Sequence, residues 1–119
     1  MINVTLWLDN SGCLYGIDAS GHSGSAARGA DIICSAASVL LRTVSRILEI
    51  EPSVELVGST EEQGELHLRL KLLEESKREW LGGVSSFALL GLKDLEAEYP
   101  SFCRIQLVNK NPGIMDNKE

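Results

Sequence analysis

A chain of 119 residues with 44% hydrophobic and 24% charged side chains has the size and composition of one globular domain with one core. Eleven Lys and Arg against seventeen Asp and Glu leave a formal net charge of −6. That balance argues against direct nucleic-acid binding, which needs cations to displace counterions, and suits a basic protein or peptide as partner.

The N-terminus, MINVTLWLDN, alternates. Ile2, Val4, Leu6 and Leu8 fall on one side and Asn3, Thr5 and Trp7 on the other, which predicts a strand. It lacks the basic start of a signal peptide. Asp9-Asn10-Ser11-Gly12 is turn chemistry, so Cys13 to Ser20 is the second strand of a hairpin. A loop of small residues, Gly21 to Ala30, follows. Asp31 then opens a helix whose apolar residues Ile33, Ala36, Ala37, Leu40, Leu41, Val44, Ile47 and Leu48 recur at helical spacing. Pro52 marks its end. Val54 to Gly58 is a short strand and Glu61 to Gly64 a turn. Glu65 to Leu72 alternates strictly, with four leucines facing in and Glu65, His67, Arg69 and Lys71 facing out. A second helix spans about Ser76 to Glu98, with Trp80, Leu81, Val84, Phe87, Ala88, Leu92 and Leu95 on its apolar face. Gly82, Gly83 and Gly91 weaken it locally. Phe102 to Val108 is the last strand. The expected fold is α+β: a single domain over 1–108 in the order ββαββαβ, one sheet packed by two helices, with a polar tail at 109–119.

No apolar run reaches the roughly twenty residues of a membrane span, so no membrane association is expected. Cys13, Cys34 and Cys103 are odd in number and widely spaced, which fits reduced thiols in a cytoplasm. Two histidines and three cysteines have no ligand-pair spacing, so no metal and no cofactor is expected.

The stretch GHSGSAARGADIICSAAS, residues 21–38, carries the chemistry. With Asp31 as N-cap, Cys34 falls at the third helical position, where unpaired N–H groups lower a thiol pKa. His22 stands twelve residues earlier in a loop with three glycines, Gly21, Gly24 and Gly29, that can fold back on the helix. Such a pair supplies a nucleophile and its base. Ser38 lies one helical turn beyond Cys34 on the same face. Plainer roles exist for each residue. A lone cysteine on an amphipathic helix is usually a packing residue, Asp31 serves equally as a cap, and Ser38 as a surface residue. Cys13 and Cys103 read as packing thiols and His67 as a solvated residue. A Gly-rich loop can also cradle phosphate. Here GSAARG runs into Ala30-Asp31 rather than Lys-Ser/Thr, and no GxGxxG is present.

Gly21-His22, Gly29, Asp31-Ile32-Ile33-Cys34 and Ser38 resemble, at matching spacing, the motif of the bacterial ribosomal-processing cysteine proteases, the Prp family. GLKDLEAEYP, residues 91–100, resembles that family's second-helix end. The resemblance implies a cysteine endopeptidase that removes an N-terminal extension from large-subunit ribosomal protein twenty-seven during ribosome assembly. It implies His22 as base, Cys34 as nucleophile and a homodimer, with Asp31 and Ser38 at motif positions. The loop here is richer in Ser, Gly and Ala than the family pattern, and Ser35-Ala36-Ala37 replaces a run of mostly Ala and Val. Two other classes fit the residues: a non-catalytic assembly factor gripping a basic ribosomal protein, and a Cys-His acyl transferase or amidase.

Overall fold

The computed structural model describes residues 1–21, 28–59 and 65–110, with 28–31 and 59 described by backbone alone. The expected element order holds. β1 (Ile2–Leu8) and β2 (Leu14–Ser20) form the N-terminal hairpin, and α1 (Arg28–Ile50) follows. Then come β3 (Val54–Ser59), β4 (Leu66–Leu72), a 3₁₀ turn at Glu75–Lys77, α2 (Arg78–Glu98) and β5 (Cys103–Asn109). The tail expected at 109–119 lies outside the described residues from residue 111 onward.

The turn between β1 and β2 is built by one carboxylate. Asp9 Oδ1 accepts the Ser11 N–H at 2.9 Å, the Ser11 hydroxyl at 2.7 Å and the Cys13 N–H at 3.0 Å. Its Oδ2 accepts Arg78 Nη1 at 3.0 Å, which ties the turn to the start of α2. The strands form one sheet in the order β3-β4-β2-β1-β5. β5 runs parallel to β1, and the other neighbouring pairs are antiparallel. Alternation puts Val4, Leu6, Ile17, Leu68 and Ile105 on the inner face, where they meet Ile33, Ala37, Val44 and Leu48 of α1 and Leu81, Ala88 and Leu92 of α2 in one core. Burying each large aliphatic side chain contributes about 1.5–3 kcal/mol.

Three expectations change. α1 begins at Arg28, three residues before the expected cap, so Gly29 and Ala30 belong to the helix and Asp31 is its fourth residue. Arg28 and Ala30 are strong helix formers, and one glycine costs only about 1 kcal/mol against Ala. Phe87 faces out at 51% exposure, because the inward stripe of α2 is Leu81, Ser85, Ala88 and Leu92. Ser85 takes the inward place by satisfying two backbone groups: its hydroxyl accepts the Leu14 N–H at 2.8 Å and donates to the Leu81 carbonyl at 2.7 Å. α2 also runs unbroken through its glycines. A Cβ on Gly91 would stand 3.1 Å from Leu40 Cδ2, so this glycine lets α1 approach.

Candidate active site

The end of β2, the start of β1, the middle of α1 and the start of β4 enclose a cleft of about 390 Å³. Ile2, Ala19, Ala37, Leu41 and Leu66 give it apolar walls, and Ser20, Ser38, Arg42, Ser45 and Glu65 bring polar groups to it. Cys34 and Gly21 line it as well. Gly21 has φ +91°, a conformation that favours glycine, and a Cβ there would collide with the Met1 carbonyl oxygen. The chain therefore turns off β2 at the wall of the cleft, and the next residue in sequence is His22. His22 and Gly24 lie outside the described residues, as does the side chain of Asp31.

Cys34 is the seventh residue of α1, not the third. The helix-terminal field falls off within the first turn, so the expected source of thiol activation does not reach it. The unpaired amides of the first turn also end about one turn before Cys34. What distinguishes Cys34 is access. It is half-buried and opens to the cleft, whereas Cys13 and Cys103 are 3% and 1% exposed. Burial, followed by the charge of Glu96, pushes the Cys103 thiol pKa up. Cys13 Sγ lies 3.7 Å from the Arg78 carbonyl oxygen.

Ser38 stands at the cleft, exposed, one turn along α1 from Cys34. Sequence reasoning missed Ser20, Arg42, Ser45 and Glu65. Helical spacing carried a signal for two of them, since Arg42 and Ser45 continue the stripe of Cys34 and Ser38. Ser20 ends β2 and Glu65 immediately precedes β4, far apart in sequence, and only the sheet brings them to the helix. His67 is exposed as expected but partnered: Nδ1 lies 2.9 Å from Asp18 Oδ1 and Nε2 lies 3.3 Å from Glu65 Oε1. Bonds to Asp18 and then Glu65 raise its pKa.

Among the described residues, no group of three or more His, Cys, Asp or Glu is placed to hold a metal ion, and no helix is long and apolar enough to cross a membrane.

Residues 1–104 match the family model described as cysteine protease Prp. No curated protein matches the chain. Among solved structures, SMU.848 from Streptococcus mutans is 25% identical with a TM-score of 0.72, covering 92% of this chain and 95% of its own. The ribosomal processing protease Prp from S. aureus, in complex with a substrate peptide, is 21% identical with a TM-score of 0.74, covering 90% and 99%. The same S. aureus protein with a covalently linked product peptide has a TM-score of 0.73. These structures share the fold described above: one five-stranded sheet and two helices in the order ββαββαβ.

Proposed function

This chain belongs to the cysteine protease Prp family, and we propose that it is an endopeptidase that removes the N-terminal extension of large-subunit ribosomal protein twenty-seven by a Cys34-His22 dyad. The observation that carries this reading is that, of three thiols, Cys34 alone opens to a peptide-sized cleft, whose wall includes the residue preceding His22. The substrate is supported by the S. aureus relative, a ribosomal processing protease bound to a substrate peptide. The net charge of −6 complements a basic ribosomal protein.

In this mechanism His22 takes the Cys34 proton, and the thiolate attacks the scissile carbonyl carbon. The tetrahedral intermediate collapses to an acyl-enzyme as the imidazolium gives its proton to the leaving amine. Water, deprotonated by His22, then releases the extension and restores the thiol. Ser20, Ser38 and Ser45 line the cleft, and of these Ser38, one turn from Cys34, is the hydroxyl on its helix closest in sequence to orient the carbonyl. The same proposal places the protein in the cytoplasm, acting on protein rather than nucleic acid, as a homodimer. Val39 of α1 and Phe87 and Leu90 of α2, all more than half exposed, are among the exposed apolar side chains that support the dimer.

The test is cleavage of the unprocessed ribosomal protein of the same genome. Cys34→Ala should abolish cleavage and keep the wild-type melting temperature. His22→Ala should slow it by about a hundred- to ten-thousand-fold, the usual worth of general acid–base help. Alkylation of the native protein, read by mass spectrometry, should modify Cys34 first and reach Cys13 and Cys103 only on unfolding. Wild-type cleavage by His22→Ala, or fastest alkylation at Cys13 or Cys103, would overturn the dyad.

A further inference from the structure

The open face of the sheet and the cleft meet at one side chain. Glu65 immediately precedes β4 and shares the outer face with His67, two residues on, yet from the strand's end it also lines the cleft. His67 stands between two carboxylates. Its Nδ1 lies 2.9 Å from Asp18 Oδ1 and its Nε2 lies 3.3 Å from Glu65 Oε1. A neutral imidazole carries one N–H, so only the imidazolium donates to both. When the second proton leaves, one contact must give way. Asp18 is the better held of the two: Trp7 Nε1 donates to it at 2.7 Å and Arg69 Nη2 at 2.9 Å, and its side chain is 27% exposed against 38% for Glu65. The longer contact, to Glu65, is the one that opens. The other groups around the ring do not replace it. Arg69 directs its guanidinium to Asp18 and to the Leu68 carbonyl. On β3, Ser59 stands opposite His67, and Glu55 stands opposite Lys71, two steps along the same face.

We propose that His67 is a proton-operated positioning residue: as imidazolium it holds Glu65 on the outer face, and as imidazole it releases Glu65 to the mouth of the cleft, where the carboxylate favours basic substrate side chains. The reading rests on the protease function proposed above and adds a control on which substrates bind. Arg42 and Glu65 are the charged residues lining the cleft among the described residues. While Glu65 is paired with the imidazolium, Arg42 sets the local sign, and a Lys or Arg side chain entering the cleft is disfavoured. Once released, Glu65 balances Arg42 and the same side chain is accepted. Bonds to Asp18 and then Glu65 raise the His67 pKa, so the changeover comes above the ordinary imidazole value, as pH rises through the raised one.

The experiment uses junction peptides of the precursor ribosomal protein in pairs, one with Lys and the other with Gln at a single position that is moved residue by residue. The ratio of kcat/KM within a pair cancels the titration of Cys34 and His22, which acts on both peptides alike. For the full-length wild-type protein, the Lys-over-Gln ratio at one position should rise about two- to fivefold as pH passes upward through the His67 midpoint, the usual worth of one exposed charge pair. The change should lie in KM, with the kcat ratio level. His67→Gln, which takes up no proton, should show the high ratio at every pH, and Glu65→Gln the low one. The His67 midpoint, read by NMR from the imidazole signal that persists in His22→Ala, should fall in Glu65→Gln. A pH-independent ratio at every position in the wild type overturns the positioning role and leaves the protease reading standing. So does a pH-dependent ratio that survives Glu65→Gln, which would assign the effect to direct repulsion by the imidazolium. An unmoved His67 midpoint in Glu65→Gln overturns it as well. No cleavage of any peptide or of the intact precursor by the folded wild type overturns the protease reading, and this proposal with it.

Discussion

Two single residues fix the local geometry of the cleft. Gly21 combines a left-handed backbone with a Cβ position already occupied by the Met1 carbonyl oxygen. Gly21→Ala therefore carries a conformational cost of about 1–2 kcal/mol and must also push β1 and β2 apart at the cleft wall. Denaturant midpoints should fall accordingly. An unchanged midpoint would mean that the turn relaxes without disturbing the strands. Cys34 differs from the other thiols by position on its helix. It flanks the inward stripe of Ile33 and Ala37 and so reaches the cleft, while Cys13 and Cys103 lie within the core.

At the scale of elements, the two helices meet the sheet differently. α1 buries a regular aliphatic stripe of Ile33, Ala37, Leu41, Val44 and Leu48. α2 instead places small residues, Ser85 and Ala88, on the sheet side and sends Phe87 and Leu90 outward. Ser85 joins α2 to β2 by accepting the buried Leu14 N–H. Ser85→Ala leaves that donor without its partner, which costs about 1–3 kcal/mol. The expected result in urea is a lower midpoint with an unchanged slope, since the folded surface is the same. An unaltered midpoint would show that Leu14 finds another acceptor.

For the molecule as a whole, both helices cover one face of the sheet and leave the other polar. On that open face Asp18 of β2 accepts Trp7 Nε1 of β1 at 2.7 Å and Arg69 Nη2 of β4 at 2.9 Å, and it faces His67 Nδ1 at 2.9 Å. The Arg69 guanidinium also lies 5.3 Å from the Trp7 ring centroid. Burial pushes the Asp18 pKa up, but the bonds from Arg69, His67 and Trp7 outweigh it and hold the carboxyl at about 2. Its stabilising effect is full above the ordinary carboxylate range and disappears as pH falls through about 2, since the unfolded chain takes the proton first. His67 has the opposite sign. Its pKa is raised, so its contribution is full below the ordinary imidazole value and fades as pH rises through the raised one. Stability measured against pH should exceed that of Asp18→Asn most clearly between these limits. The difference should shrink towards pH 2 and, in part, above the imidazole range. Parallel profiles for the two proteins would show that Asp18 adds nothing through its charge.

The order of elements, the inward faces of the strands and of α1, and the His-loop-Cys motif were legible in the sequence alone. They are periodic or contiguous properties: alternation from Ile2 to Leu8 and from Leu66 to Leu72, helical spacing from Ile33 to Leu48, and a motif within residues 21–38. What the tertiary structure decided depends on partners distant in the chain. The parallel pairing of β5 with β1 is not coded by either strand's own pattern. The start of α1 at Arg28 is set by propagation through Gly29 and Ala30 rather than by the capping residue Asp31, and it moved Cys34 from the third helical position to the seventh. Hydrophobicity alone favours burial of Phe87, yet a close helix–sheet approach and an otherwise unpaired Leu14 N–H give that face to Ser85. The cleft itself has walls from β1, β2, α1 and β4, so no local stretch encodes it. Periodicity tells each element which side to bury, but only packing determines which buried sides meet and what space is left between them.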